Sequence, residues 1–534
     1  MLRYREVPAL PRLAWLARAN PESGDVLVSH GPAVERTPHW MVEGVWDDEF
    51  RLGAFHRSHH LFGSGIRIDE GRVHFVPSSA LVNRLMYCRY RDELLVSNSL
   101  VLLLAFTGAA LDPAHDYRAE TYAVRHGPGR YPRSFTVAHP EIRAFYQVYG
   151  ESLVVGDGEI RFESLRPTPS IPSYERYRAL VDGALRRLQA NYASPERTLP
   201  MTAFATISSG YDSAASAALV SPLGIATCFT SRRSNSHIPA WVSPRAAIDD
   251  GKPIADLLGL RTVYLDGRHS QVSDDELYFL APGCAPTMTV LRSLAQYLER
   301  RGGASVLFTG FQGDEMWDLN PWERAYQDAG LVRGDTTALM LSEIRLKSGF
   351  VNVAVPSLFA TAVRDIAAIS ASPEMAPWRL GSGYDRPIPR RILEEAGVPR
   401  LWFGARKKAI VERRRYPANR ELRREFFAFL RAQGRCSAAF VYLHGIVNGC
   451  AFPFVRTWHL ARHVLFGVEP PTLPAAFVWK RFDFASLLFT WASGALSRRL
   501  AAALGESATT RPLARGRRRA DYHFTREAPS ALSP

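Results

Sequence analysis

The stretch Met201-Thr-Ala-Phe-Ala-Thr-Ile, followed by Ser208-Ser-Gly-Tyr-Asp-Ser213 and an alanine-rich run to Val220, constrains this chain more than any other. A short apolar run reads as a strand, the small polar residues as a tight turn, and the alanines as the start of a helix. Ser208, Ser209, Gly210, Asp212 and Ser213 therefore stand where backbone N–H groups and the positive end of a helix dipole converge, which suits a phosphate. Asp212 would repel phosphate unless a divalent cation stood between them, and Mg²⁺ shared between carboxylates and phosphate oxygens meets that need. The plain alternative is an ordinary loop in which Asp212 or Ser213 caps a helix. A second stretch, Ser305 to Trp317, favours a site, because it again runs from a buried-type strand into a glycine turn with two acids, Asp314 and Glu315.

The surrounding pattern alternates strand and helix. Tyr174, Tyr177, Leu180, Val181, Ala184, Leu185 and Leu188 share one face of a helix. Strands follow at 201–207, about 225–230, 261–265 and 305–309, with a helix from Val290 to Arg301 ended by Gly302-Gly303. Such alternation predicts a doubly wound parallel α/β sheet whose ligand crevice lies at the carboxyl ends of the strands, where both acidic turns fall. Residues 1 to about 150 alternate short apolar runs with Gly, Pro and His-rich turns, which predicts a strand-rich domain with no evident chemistry. His56, His59 and His60 have no obvious carboxylate or cysteine partner and read as a solvated loop rather than a metal site. Arg166 to Pro172 is a proline-rich boundary, and residues beyond 320 turn helical, with Phe482, Leu488 and Trp491 as core stripes.

Ser208-Ser-Gly-Tyr-Asp-Ser213 and Thr309-Gly-Phe-Gln-Gly-Asp-Glu315 resemble the two signature turns of the asparagine synthetase-like adenine-nucleotide α-hydrolases (PP-loop pyrophosphatases), whose relatives include β-lactam synthetase and lasso-peptide cyclases. The family's first turn is Ser-Gly-Gly-x-Asp-Ser. Its second is approximately Ser-Gly-x-Gly-x-Asp-Glu, and here the second glycine stands one place later. Phe403-Gly-Ala-Arg-Lys-Lys-Ala409 resembles the family's late basic cluster, with Lys408 the best match; from composition alone Arg406, Lys407 and Lys408 are a charged surface segment. The resemblance implies a synthetase domain over 174–504 with a helical C-terminal part, preceded over 1–165 by a degenerate, strand-rich α+β glutaminase-like domain. Asp92 to Leu104, read as a strand and a short helix, is similar to the late part of that domain.

The resemblance also implies a chemistry. ATP would lie against Ile207, Thr309 and Gly310, pyrophosphate in the Ser208–Ser213 cradle, and Mg²⁺ on Asp212 and Asp314. Lys408 would neutralise charge developing during transfer of AMP to a small-molecule or peptide carboxylate, before an amine donor forms the amide. Leu2 stands where the family's glutaminase needs a cysteine, so glutamine hydrolysis is not expected. Phe311 stands where asparagine synthetases carry an acid and β-lactam synthetase a tyrosine, so another group must serve the amine.

Charge and cysteine usage bound the setting. Five widely spaced cysteines, none in a Cys-x-x-Cys pair, argue for a reduced compartment and against a zinc or iron–sulfur site. The N-terminus lacks a signal-peptide core and no apolar run is long enough to span a bilayer, which predicts a cytoplasmic protein. The net charge of +14 is partly local to a basic 505–534 tail, read as solvated disorder, with an anionic partner as the lesser alternative. A homodimer is left open. Besides the ligase, two readings stand: a nucleotide-binding pseudoenzyme, and an RNA-modifying PP-loop enzyme, which the missing cysteine pair disfavours.

Overall fold

The computed structural model describes the chain except for residues 80–82, 127–130, 157, 165–167, 233–247, 266–274, 285–287, 319–338, 382–383, 405–415, fifteen positions between 438 and 466, and 467–483, 506–523 and 526–534. Residues 2–164 form two strand-rich layers. One seven-stranded sheet runs, in spatial order, Leu2–Glu6, Val26–His30, Trp15–Ala19, Glu93–Ser97, Leu85–Tyr90, Ala144–Val148 and Ser134–Thr136. A second contains Glu35–Arg36, Trp40–Trp46, Leu61–Asp69, Arg72–Val76, Glu151–Gly156 and Glu159–Ser164. Alternation along the strands sends Trp15, Ala17, Val26 and Val28 of one sheet against Met41, Ile66, Phe75 and Leu153 of the other, giving one dry sandwich core that also buries Leu2. The Leu100–Thr107 helix, capped by Ser99, covers the outer face of the first sheet with Leu100 to Leu104 all buried.

The third sheet is parallel throughout, in the order Arg261–Tyr264, Thr227–Thr230, Met201–Thr206, Ala304–Thr309, Phe350–Ala354. Its two faces differ by the period-two rule. Phe204, Phe229, Leu307 and Phe350 meet Leu294 and Leu298 of the Arg292–Arg301 helix. Ala205, Cys228, Val306, Phe308 and Val353 belong to the cluster that includes Ala214, Ala217 and Ala218 of the Tyr211–Val220 helix. Helices therefore cover both faces of a parallel sheet. The Tyr174–Tyr192 helix buries the expected stripe, with Leu180 at its half-buried margin, and extends one turn further to Tyr192.

Two readings, of the histidines and of the tail, change on contact with the structure, and that of Leu488 and Trp491 holds. Two of the three histidines at 56–60 do not face solvent: His56 Nε2 lies 3.1 Å from Asp69 Oδ2, and His60 is buried with its ring 4.6 Å from that of Phe359, while His59 is exposed as expected. Burial pushes both imidazoles down to about 4, so they are neutral near pH 7. The partner of His56 comes from a strand end thirteen residues away, which sequence proximity does not reveal. In the C-terminal helical part, Leu488 and Trp491 are core, Phe482 lies outside the described residues, and Phe454 and Trp458 are exposed. Of the tail, Phe524–Thr525 adds two residues parallel to Ile160–Arg161 at the edge of the second sheet, and the rest lies outside the described residues.

The strand-rich layers and the parallel sheet are joined by a buried polar network. Arg345 donates two hydrogen bonds to Glu43, at 2.7 and 2.9 Å, and one to Asn83 at 2.9 Å, with Arg345 1% exposed. Ser64 and Asn98 donate to the same Glu43 carboxylate, so every charge in the pair is neutralised locally. Beside it, Glu343 is 2% exposed and accepts from Ser99 Oγ at 2.8 and 3.1 Å. Burial pushes the Glu343 carboxyl up to about 7, despite the Ser99 bond and the positive charges of Arg84 and Arg345.

The folded state thus holds a proton on Glu343 that the unfolded chain releases near its ordinary value of 4.5. This contribution is fully present below that value and is lost as pH rises through about 7, by roughly 3 kcal/mol at most. Glu343→Gln keeps the shape and removes the titration, so it should flatten the decline in urea midpoint between about pH 5 and about pH 8. An unchanged slope in the variant would show that Glu343 does not carry it.

Candidate functional site

The sheet order alone selects a place for a ligand. The chain leaves Met201–Thr206 toward Thr227–Thr230 on one side, and returns to its other side with Ala304–Thr309. That reversal is the switch point of an open α/β sheet, where the two connecting loops part and leave a crevice beyond the carboxyl ends. The parallel register sets Phe204 beside Leu307 and Ala205 beside Phe308, so Ile207–Ser213 and Thr309–Asp314 leave the sheet side by side.

The two turns are in backbone contact. A methyl carbon at Gly310 would stand 2.3 Å from the Ser213 nitrogen, and one at Gly313 would stand 2.4 Å from Asp212 Cγ. The third segment reaches the same point: Gly404, at φ 68°, donates its N–H to Ser209 O at 3.0 Å. A methyl carbon there would fall 2.3 Å from the Tyr211 ring, which also packs against Phe403 at 5.8 Å between centroids. Ser208, Ser209, Gly210, Asp212, Ser213, Gly310 and Asp314 are thus gathered, with the Phe403–Gly404 segment, from three stretches widely separated in the chain. Thr309 closes its strand by donating to Asn352 Oδ1 at 2.8 Å, and Ile207 donates to Phe229 O at 2.9 Å. Arg406, Lys407 and Lys408 lie outside the described residues, just beyond the Gly404 anchor.

Neither Asp212 nor Ser213 caps the helix. The N-cap is Gly210, without a side-chain cap bond, while Ser208 Oγ bonds to Ser213 Oγ at 2.8 Å and accepts from Gly210 N at 3.1 Å. Asp212 instead accepts from Arg386, a residue only 1% exposed, whose Nε lies 3.8 Å from Asp318 Oδ2. Burial works against this guanidinium charge, but Asp212, then Tyr384 and Asp314, outweigh it and hold the group more basic than usual. Arg390, also buried, donates to the Tyr211 hydroxyl, and Ser209 Oγ donates to the buried Asp249 at 3.1 Å.

Arg386, Arg390, Asp249, Asp318 and Gln312 are not evident in the sequence as site residues. Pro387 at the first turn of the Pro387–Glu395 helix marks where that element begins, but nothing local shows that the arginine before it is buried. Gln312 has a left-handed backbone, φ 69°, a conformation uncommon for a residue other than glycine.

Orphaned polar atoms bear on what could bind. Arg386 Nε, Arg390 Nε and both amide atoms of Gln312 are buried and without hydrogen-bond partners. The guanidinium N–H groups and Gln312 Nε2, beside an uncapped helix N-terminus, are donors of the kind that suits the oxygens of a phosphate. No group of three or more His, Cys, Asp or Glu able to hold a metal forms among the described residues. Mg²⁺ shared with phosphate needs only one or two protein carboxylates, and the hard oxygens of Asp212 and Asp314 fit that arrangement. In the structure Arg386 supplies the positive charge at Asp212.

No family model matches the chain, and no curated protein matches it. Among solved structures, a glutamine phosphoribosylpyrophosphate amidotransferase from B. subtilis, complexed with ADP and GMP, is similar over 67% of this chain and 88% of that one. The identity is 11% and the TM-score 0.18, a likeness that fixes neither fold nor activity.

The close approach of the turns makes Gly310 a sensitive backbone position. Gly310→Ala places its methyl against main chain that cannot rotate away, and should lower stability by about 2–4 kcal/mol. Gly183→Ala, inside a helix with only the end of Arg187 at 3.4 Å, should be neutral or stabilising by about 0.5–1 kcal/mol. Urea unfolding of the two variants checks this; equal effects would mean that the turns do not touch as described.

Proposed function

We propose that the chain is an ATP-dependent, AMP-forming amide ligase that activates a substrate carboxylate, of the asparagine synthetase-like kind its motifs resemble, and that it lacks glutaminase activity. The observation that carries this reading is the convergence of the three resembling segments. Gly310 and Gly313 press on Asp212 and Ser213, and Gly404 is hydrogen-bonded to Ser209.

In this reading the backbone near Ile207, Thr309 and Gly310 faces the adenine, and the Ser208–Ser213 turn receives the phosphates end-on at the helix start. Asp212 and Asp314 would hold Mg²⁺, which when bound screens the phosphate charge and eases departure of pyrophosphate. Arg386 is fixed by Asp212 and Asp318 before any ligand arrives, so its charge needs little reorganisation, and Lys408 adds a second cation. The substrate carboxylate and the amine donor are unnamed by the site.

A second reading, nucleotide binding without ligation, draws on one specific residue. Phe311 is half-buried against the apolar clusters and cannot accept a proton.

Exchange of labelled pyrophosphate into ATP, with carboxylate-containing fractions of cell extract as substrate, separates the two. Exchange should fall more than about tenfold in Asp212→Asn, Asp314→Asn and Lys408→Ala, which is about 1.4 kcal/mol of barrier each, and should persist in Phe311→Ala. Tight MgATP binding with no exchange from any fraction would favour the nucleotide-binding reading.

A further inference from the structure

Of the side-chain amides among the described residues, Gln312 alone leaves both its polar atoms buried and without a hydrogen-bond partner. Asn83 and Asn352 each leave only the nitrogen unbonded, because their oxygens accept from Arg345 at 2.9 Å and from Thr309 at 2.8 Å. Gln312 is 2% exposed, so solvent barely reaches it. A buried donor or acceptor without a partner is costly, and here one side chain holds both. Its backbone adds strain, because φ 69° is a left-handed conformation that a residue other than glycine adopts at a cost. Residues kept unsatisfied and strained in this way cluster where proteins meet their ligands.

The place of Gln312 narrows the ligand group it can meet. It stands between Gly310, where a methyl carbon would strike the Ser213 main chain, and Gly313, where one would strike Asp212. Phe311 and Asp314, one and two residues away, are half-buried. The surface of the turn is therefore one or two Cα steps of about 3.8 Å distant, within the length of a glutamine side chain. In the nucleotide reading the base lies toward Gly310, and the metal and phosphates lie toward Asp212 and Asp314. The part of the nucleotide between them is the ribose.

We propose that the Gln312 carboxamide reads the ribose hydroxyls of the bound nucleotide, Oε1 accepting from one hydroxyl and Nε2 donating to its neighbour. This rests on the nucleotide-binding part of the proposed function and not on ligation. The chemistry of the amide selects the ribose. A carboxamide sets an acceptor and donors side by side, whereas phosphate and carboxylate oxygens only accept and would leave Oε1 unpaired. A vicinal diol both donates and accepts, so it serves both atoms. The amide has little hydration to give up, and a nucleotide lacking the hydroxyl would leave it unpaired in the complex, which is how a site rejects such an analogue.

Calorimetry of the full chain with MgATP and with the Mg²⁺ complexes of 2′-deoxy-ATP and 3′-deoxy-ATP tests it. The wild type should bind MgATP at least about tenfold more tightly than the weaker-binding deoxy nucleotide. Gln312→Leu, close in volume and without polar atoms, should weaken MgATP to the level of that analogue, so that the preference falls to within about twofold. The thermal midpoint of this variant should equal or exceed that of the wild type, because a buried amide without partners is removed. Gln312→Met gives the same readout if leucine disturbs the turn. A preference that survives in both variants would overturn the proposal and leave nucleotide binding in place, whereas a wild type that binds no MgATP would overturn both. A Gln312-dependent preference against purine riboside triphosphate, which lacks the adenine amino group, with none against either deoxy nucleotide, would place Gln312 on the base and overturn the assignment to ribose.

Discussion

The backbone pairing between Met201–Thr206 and Ala304–Thr309 is the interaction on which the rest of the site depends. Its register brings Ala205 level with Phe308, and the two turns that follow then leave the sheet at the same height. A slip would carry Gly310 and Gly313 away from Asp212 and would also turn each inward side chain to the opposite face. Glycine at 310 and 313 is what lets one turn press on the other, and Gly404 lets a third segment close over Tyr211. The site is therefore built from main chain, with its chemistry carried by few side chains.

Those side chains form a buried electrostatic unit. Arg386 faces Asp212 and Asp318 directly and feels Asp314, so several acids share one desolvated guanidinium. Removing a partner from such a cluster strands a buried charge and costs several kcal/mol, which keeps the cluster assembled without ligand. Arg386 Nε and Arg390 Nε are the donors of this unit left without a hydrogen-bond partner. On the other side of the sheet, Arg345 and Glu43 use the same device for a structural end, tying the strand-rich layers to the Phe350–Ala354 strand through the preceding Ser342–Ser348 helix.

How much of this was legible in the sequence follows from range. Alternating strand and helix signals placed the parallel sheet, because period-two and period-3.6 patterns are local. The two acidic turns were visible because each is a contiguous run after a strand. Arg386, Arg390 and Asp249 were not, since each reaches the site across a long gap and looks like any other charged residue in its own neighbourhood. His56 shows the same limit, its partner Asp69 lying at the far end of a strand. Gln312 was not legible as a left-handed position, because a glutamine in the sequence gives no sign of the glycine-like backbone it adopts. Phe454 and Trp458 have the i, i+4 spacing of a core face yet are exposed, and spacing alone does not say whether anything packs opposite.

Hydrogen–deuterium exchange of the full chain with and without MgATP measures the central claim directly, because it reads the backbone amides that form the cradle. Protection should rise together in the segments spanning Ser208–Ser213 and Thr309–Asp314, with the opposite sheet ends at Met201 and Ala304 unchanged, since one ligand would touch both turns at the carboxyl ends. MgATP that binds yet protects neither turn, or protects amides elsewhere in the molecule, would contradict the account.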